Sequence, residues 1–411
     1  MRAEVPQAAP DVPFRRAAVR LPALCGFLAG LGPGVIGLTA DNDAGGMLSY
    51  LVTGAGHNLR WALPALGVMG GVTLAVLLLA QRVQRATRQP YTRVLTRALG
   101  RPAALTEALA LHGMNSFILV TEFLGMTLAL GAAGVPRWAA LPVTFALVAL
   151  LTGARFYGRI EAVLLRSSLV SLAFVPALLL LRPEPGAWAD AFGPVSADPW
   201  FLLLAMSGNA MAPWMIYWQQ DAVWAGAARS ARQQFWDVGT GVAAMMVMAT
   251  TVLLLGALTP TGPAVVAPVS WLLASAGRLP GTLFALGLFN AGLLAACTVS
   301  LSSLWTLREA LGPGCSDRRQ APNRGRWLVA HLGTLAAAAA VAGLPGLAAG
   351  RVALWANAVP ALWMPVSLVL LGLVLRDRRL MGRHAIGSGA QVLLGAIIAL
   401  FLAAACVGLL R

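Results

Sequence analysis

Apolar segments of about 20 residues recur along almost the whole chain. A segment of that length crosses the roughly 30 Å hydrocarbon core of a bilayer as a single α-helix. Of the 411 residues, 58% are hydrophobic and only 11% are charged, which excludes an ordinary soluble protein. The sequence therefore predicts an all-α protein that crosses the lipid bilayer many times.

The apolar segments predict eleven transmembrane helices after an amino-terminal segment at residues 1–21. The predicted spans are 22–54, 61–81, 104–131, 138–154, 160–181, 200–223, 238–258, 281–306, 327–345, 352–375 and 389–410. The arginines before the first span could mimic a signal peptide. The run that follows is too long and lacks a clear cleavage site, so we interpret it as a retained span.

The basic residues are all arginines, and their placement predicts the topology. The formal net charge of +15 would suggest nucleic-acid binding in a soluble protein. Here, however, most of the 30 arginines lie in segment 1–21 and in the connections after every second span. Because such residues accumulate on the cytoplasmic side, we expect a cytoplasmic amino terminus, an external carboxyl terminus and a place in the cytoplasmic membrane. We expect no nucleic-acid partner.

Polar residues and glycines interrupt the first predicted span. The chain reads Gly-Pro-Gly at 32–34, Asp-Asn-Asp at 41–43 and Ala-Gly-Gly at 44–46. An ionisable side chain at that depth costs about 2.5–3.5 kcal/mol and normally faces a cavity, a partner or an ion. Glycines weaken the helix, and an unwound turn would add free carbonyls to the carboxylates, as a hard cation requires. The alternative is a hydrated loop, but apolar residues continue on both sides.

The sixth predicted span carries a second interruption. Gly208 and Pro213 lie in its middle, and a proline removes one helical hydrogen bond. Interruptions in the first and sixth spans favour two inverted five-helix repeats with a binding site where the broken helices meet. The repeats would cover 22–181 and 200–375, and 389–410 would be an extra helix.

Few other polar residues lie within the predicted spans. Glu122 is the only other acid that we expect well inside the hydrocarbon, and with Asp41 it is a candidate charge partner or proton site. His112 is expected to be a packing residue with its hydrogen bonds satisfied. For Asn290 and Asn357, hydrogen bonding between helices and contact with a ligand both stay open. The four cysteines show no disulfide or zinc spacing.

At these residues the chain resembles the NRAMP family of divalent-metal transporters, nearly from end to end. The family has Gly-Pro-Gly and, eight residues further on, the metal-binding motif Asp-Pro-Gly-Asn. Here residues 32–34 lead at that spacing to Asp43-Ala44-Gly45-Gly46. The Met-Pro-His of the sixth span falls on residues 212–214, and the Glu-x-x-Gly of the third span on Glu122 and Gly125.

The resemblance continues to the end of the tenth span and implies a fold and a site. The family's glutamine near the ion falls on Asn357, and residues 377–382 resemble its closing signature. The family has a LeuT-type fold of two inverted five-helix repeats plus an extra helix. Asp43 would be the principal ligand of a divalent cation, with the carbonyls of Ala40 and Met211 assisting and Asn357 contributing when the site closes.

Four departures from the family pattern alter the expected chemistry. Gly46 replaces the metal-binding asparagine, and Ala212 replaces the metal-binding methionine, whose soft sulfur favours transition metals. The remaining wide oxygen site suits an ion that keeps its waters, as Mg²⁺ does, and is similar to that of NRAMP-related magnesium transporters. Trp214 and Leu119 replace titratable residues linked to proton movement, so we expect no proton coupling.

The sequence therefore predicts a transporter of divalent cations, Mg²⁺ or Mn²⁺, with the ion as substrate and no cofactor. One alternative is ordinary proton-coupled transport of Mn²⁺ or Fe²⁺. Another keeps the fold but carries a small organic solute. An enzyme is not expected, since no set of nucleophile and base is present. Restoring the lost ligands with A212M and G46N is expected to shift the preference towards Mn²⁺. The sequence does not indicate an oligomeric state.

Overall fold

A computed structural model describes residues 31–410 except 57, 154–159, 194–198, 226–229, 261, 263 and 312–324. The predicted segment 1–21 and the start of the first span lie outside the described residues. Throughout the described part, all regular structure is helical and no strand occurs. The prediction of an all-α protein is confirmed.

Eighteen α-helices are described, together with 3₁₀ turns at Ser171–Ala173 and Gly382–His384. The helices are α1 (Pro33–Asp41), α2 (Ala44–Ala55), α3 (Leu59–Thr87), α4 (Tyr91–Leu99), α5 (Arg101–Ala132), α6 (Arg137–Thr152), α7 (Ile160–Val170), α8 (Phe174–Leu179), α9 (Ala187–Ala191), α10 (Pro199–Ala210), α11 (Pro213–Ala225), α12 (Ala231–Leu258), α13 (Pro268–Ser275), α14 (Arg278–Leu311), α15 (Arg326–Ala342), α16 (Ala349–Arg376), α17 (Arg378–Met381) and α18 (Ser388–Leu410).

Most of the described helices fall into three groups by their capacity to cross a membrane. Among the described residues, seven helical segments are long and apolar enough: α3, α5, α12, α14, α16, α18 and the joined α7–α8 segment. The apolar helices α6 and α15 are shorter. The pairs α1–α2 and α10–α11 are the two predicted spans that are interrupted in their middle. The total of eleven spans stays a prediction.

Two helices differ from the segments that hydropathy predicts. Helix α12 begins at Ala231, although the predicted span begins at 238, because Ser230 and Gln233 form a capping box. The Gln233 amide donates to Ser230 Oγ (3.2 Å), and the Ser230 amide donates to Gln233 Oε1 (2.9 Å). Helix α4 lies within an arginine-rich connection for which no helix was predicted. Its residues Val94 and Leu95 are buried.

The interrupted helix α1–α2 lies inside the bundle, against α12. The helices α2 and α12 cross so closely that only hydrogen fits at two positions. A Cβ atom on Gly54 would lie 2.0 Å from the Leu253 carbonyl oxygen, and one on Gly256 would lie 2.2 Å from that of Leu51. Outside this contact, α5 and α14 pack along each other over most of their length. The first interruption is therefore held by long helices on both sides.

Candidate ion-binding site

The first interruption places a carboxylate at the end of a half-helix. Helix α1 ends at Asp41, and Asn42 leaves helical geometry with a ψ of 57°. Asp43 is extended (φ −71°, ψ 174°) and caps α2, because its Oδ1 accepts a hydrogen bond from the Gly46 amide at 2.5 Å. The predicted break therefore lies at residues 42–43, with Asp43 at its centre.

Glu122 on α5 keeps this break open. Its Oε2 accepts a hydrogen bond from the Ala44 amide at 2.9 Å, and the Thr121 hydroxyl donates to its Oε1 at 2.9 Å. In a continuous helix the Ala44 amide would donate to the carbonyl of Ala40. Because that amide is taken by Glu122, the Ala40 carbonyl loses its helical partner. Its role as an ion ligand stays a prediction.

Asp237 on α12 holds the other end of α1. Its Oδ1 accepts hydrogen bonds from the amides of Gly32 (2.7 Å) and Val35 (3.2 Å), and its Oδ2 accepts one from the Gly34 amide (2.8 Å). A Cβ atom on Gly34 would lie 2.9 Å from the carboxyl carbon of Asp237. This contact explains the Gly-Pro-Gly motif, since Pro33 starts the helix without needing an amide partner and Gly34 leaves room for the buried carboxylate.

The second interruption exposes carbonyls for a different reason. The residue after the break is Pro213, which has no N–H, so the carbonyl of Asn209 four residues earlier has no helical donor. The Met215 amide would serve Met211 in a continuous helix, but it donates to the Ala212 carbonyl at 3.1 Å. The carbonyls of Asn209 and Met211 are therefore both released. Only the second of these was predicted.

Asn357 on α16 connects the two interrupted helices. Its Nδ2 donates to Ser49 Oγ on α2 and to the Ala353 carbonyl, both at 2.9 Å. A Cβ atom on Gly208 of α10 would lie 1.8 Å from the backbone oxygen of Asn357. Asn357 thus lies between α2 and α10, and its expected contact with an ion stays a prediction. Its amide nitrogen is occupied by protein atoms, so only its oxygen is left for an ion.

The carboxylates at the first break are enclosed by protein. Asp41 is 2% exposed and Asp43 is 4% exposed. Oδ2 of Asp41 has no hydrogen-bond partner among the described residues, and the two acids interact electrostatically. Two neighbouring buried carboxylates are strongly unfavourable without a compensating cation. Within the described ranges, no three His, Cys, Asp or Glu side chains are arranged so that together they could hold a metal ion. A bound metal would therefore need backbone oxygens as well.

The protein closes over the start of α1. The indole Nε1 of Trp218 on α11 donates to the carbonyl of Pro33 at 3.0 Å. Its ring stacks on Trp305 with centroids 5.8 Å apart and 12° between the planes. A Cβ atom on Gly37 would lie 2.7 Å from Cδ1 of Trp218, so α1 and α11 touch directly. The Trp218–Trp305 pair therefore packs against the start of α1.

Several functional candidates were not found by sequence reasoning. Glu122 is not the only buried acid outside the first span, because Glu107, Asp221 and Asp237 are also buried. Asp237 was missed because the hydropathy of α12 rises only after it. The amide of Asn209 was missed because Pro213, in the same span, predicts only free backbone carbonyls and says nothing about the side chain at position 209. For both residues, only the partner across the bundle reveals the role.

Two other polar residues have structural partners. The Asn290 side chain on α14 donates to the Ser167 carbonyl at 2.9 Å and to Ser171 Oγ at 2.8 Å. Of the two roles considered for Asn290, hydrogen bonding between helices and contact with a ligand, the structure shows the first. His112 Nδ1 bonds Ser303 Oγ at 2.7 Å, in line with the expected packing role.

Comparison with solved structures identifies the fold. The Eremococcus coleocola manganese transporter, in complex with an aromatic bis-isothiourea substituted compound, matches with a TM-score of 0.76 at 16% identity, over 95% of this chain and 87% of its own. A mutant of that transporter matches with a TM-score of 0.77 at 16% identity, over 98% and 89%. Mhp1, a nucleobase-cation-symport-1 family transporter in a closed conformation, matches with 0.57 at 14% identity, over 92% and 91%.

These matches confirm the predicted LeuT-type fold. No curated protein matches the sequence. The family model of Nramp, natural resistance-associated macrophage protein-like, matches residues 34–411, which include both interruptions and almost the whole described structure. The chain therefore belongs to the Nramp family.

Proposed function

We propose that this protein carries Mg²⁺ and Mn²⁺ across the cytoplasmic membrane, with Asp43 as the principal ligand. As a member of the Nramp family it is a multi-pass transporter of divalent metals and not an enzyme. The observation that supports the finer proposal is the donor set at the two breaks. The carboxylate of Asp43 is buried at the first break, where the Ala40 carbonyl has lost its helical partner, and the Met211 carbonyl has lost its own at the second break. No side-chain sulfur is supplied at position 212.

The ion preference follows from those donors. Mg²⁺ takes oxygen ligands at about 2.0–2.1 Å and keeps several waters, so one carboxylate with carbonyls can bind it weakly. Mn²⁺ gains over Mg²⁺ chiefly at nitrogen and sulfur ligands, and Ala212 offers neither. We expect weak binding, little discrimination between Mg²⁺ and Mn²⁺ and poor transport of Ca²⁺. The ion is the substrate, and no cofactor is required.

The proposal includes the arrangement of the chain in the membrane. The repeats would be 22–181 and 200–375, with 389–410 as the extra helix. The amino-terminal segment 1–21 would be cytoplasmic and the carboxyl terminus external, because the arginine-rich connections alternate with arginine-poor ones. Asp41 would serve as a second negative charge beside the site. Glu122 stays a candidate charge partner or proton site.

Ion uptake by proteoliposomes tests the site. Asp43→Ala should abolish uptake of Mg²⁺ and Mn²⁺ while the purified protein keeps its elution profile and its melting temperature without ions. Asp190→Ala, at an exposed acid on α9, is the control. Unchanged uptake by Asp43→Ala together with loss in Asp41→Ala would move the ion to Asp41. Stabilisation of the wild type by amino acids, and not by any of Mg²⁺, Mn²⁺ and Ca²⁺, would instead favour an organic substrate.

A further inference from the structure

Asn209 has a buried amide that the protein itself does not satisfy. The residue is 2% exposed, at the end of α10 beside the second break. The Tyr50 side chain interacts with it, but neither Oδ1 nor Nδ2 makes a hydrogen bond of normal geometry to any described residue. Leaving a buried polar group unpaired costs about 1–3 kcal/mol. Both polar atoms of this side chain are therefore left for a ligand, and the position of Asn209 beside the first break decides which ligand they meet.

The amide of Asn209 fills the space that a side chain at position 46 would occupy. A Cβ atom on Gly46 would lie 1.8 Å from Asn209 Oδ1, 2.4 Å from its Cγ and 2.6 Å from its Nδ2. The Gly46 amide in turn donates to Asp43 Oδ1 at 2.5 Å. With standard bond lengths, the Asn209 oxygen therefore lies at most about 7 Å from the Asp43 carboxylate. A hydrated divalent ion can bridge a separation of that size.

We infer that Asn209 is a ligand of the transported ion and sets its selectivity, through an amide oxygen delivered from α10. The inference rests on the proposed function of Asp43. The family motif has an asparagine at the position of Gly46. In this chain the Asn209 side chain would supply that amide instead, from the opposite side of the site. Asn209 would offer two oxygens, its amide oxygen and the backbone carbonyl that Pro213 leaves without a donor.

Two oxygens from one residue fit the chemistry of a hard cation. Amide and carbonyl oxygens are ligands that Mg²⁺ and Mn²⁺ accept, and they offer nothing to a metal that prefers sulfur. Their position also matters. An ion held by Asp43 on α2 and Asn209 on α10 joins the two interrupted helices, so its binding would favour the arrangement in which both breaks face each other.

This arrangement changes the expected effect of restoring the motif. Gly46→Asn alone would place its side chain on top of Asn209, at a distance that no two unbonded atoms tolerate. The pair A212M and G46N suggested by the sequence leaves that conflict in place. The amide has to be removed from position 209 when it is added at position 46.

The test exchanges the amide between the two positions. Purified wild type, Asn209→Ala, Gly46→Asn and the double variant N209A/G46N are compared by the rise in melting temperature on titration with Mg²⁺ and Mn²⁺. We expect Asn209→Ala to weaken ion affinity about 10-fold or more without lowering the melting temperature in chelator. Gly46→Asn alone should lose ion binding and stability. The double variant should regain the stability that Gly46→Asn loses, and it should bind the ions more tightly than either single variant.

A matched control separates a ligand from a packing residue. Asn115 on α5 is 1% exposed and its amide atoms also have no partner among the described residues, but it lies two helical turns before Glu122. Asn115→Ala should keep the wild-type ion affinity. Equal ion affinities of Asn209→Ala and wild type would overturn the inference. A double variant no better than Gly46→Asn would do the same.

The outcome for Asp43 distinguishes this inference from the proposed function. If Asp43→Ala abolishes the ion-induced stabilisation while Asn209→Ala retains it in full, only the role of Asn209 fails. If Asp43→Ala still binds the ion as tightly as the wild type, the proposed site fails as a whole, and the ligand role of Asn209 falls with it.

Discussion

Replacing Glu122 by glutamine separates its two candidate roles. In the structure the carboxylate accepts hydrogen bonds from the Ala44 amide at the start of α2 and from Thr121. Glutamine keeps one accepting oxygen, but it turns the other acceptor into a donor and removes the charge. The loss of one charge-assisted hydrogen bond costs about 1.5–3 kcal/mol. The lost interaction with the helix N-terminus adds about 0.3–1 kcal/mol, and up to about 2 when partly buried.

The combined cost of about 2–4 kcal/mol should be visible in the melting temperature without ions. We expect Glu122→Gln to lower it by on the order of 5 °C. Glu122→Ala should lower it further, because the Ala44 amide is then left without any acceptor. Glu184→Gln, at an exposed acid, is the control for the loss of one charge. A Glu122→Gln variant with a wild-type melting temperature would refute the capping role, and altered proton flux in that variant would then favour a proton site.

Two further predictions address the other end of α1 and the energetics of transport. Asp237→Asn should lower the melting temperature by several degrees, because at least one of the three amide hydrogen bonds at the start of α1 is lost; a melting temperature equal to that of the wild type would show that the cap contributes nothing. Uptake of Mn²⁺ should leave the pH inside proteoliposomes unchanged, as read by a trapped dye, because Trp214 and Leu119 cannot titrate. Proton influx that depends on Mn²⁺ would contradict this reasoning.

Sequence reasoning succeeded where a residue type conflicts with its surroundings. Acids between glycines in an apolar run indicated an interruption within 32–46, and a glycine with a proline indicated another within 207–214. The helices break at residues 42–43 and 211–212, inside those stretches. These signals are local, because they depend on the cost of a charge in hydrocarbon and on the missing amide of proline. The all-α membrane class followed from the length of the apolar segments, and the LeuT-type fold from the resemblance to the NRAMP family.

Partners across the bundle could not be predicted in the same way. Asp237 caps a helix that lies about 200 residues away in the chain, and nothing near it in sequence indicates that contact. Glu122 was recognised as unusual, but its bond to the Ala44 amide was not foreseen. The sequence also does not predict that the Asn209 side chain fills the space beside Gly46. A glycine indicates that a side chain is missing, but it does not indicate which residue occupies the space.

The contact between Trp218 and Pro33 adds only a small free energy to the packing of α11 on the start of α1. One indole hydrogen bond contributes about 0.5–1.5 kcal/mol, and a stacked pair of rings adds about 0.5–1.5 kcal/mol. A contact worth about 2 kcal/mol on its own is broken in roughly one molecule in thirty. A ligand that prefers the formed or the broken state by a few kcal/mol would enlarge or suppress that minor population. An ion that binds only weakly is therefore enough to shift this contact.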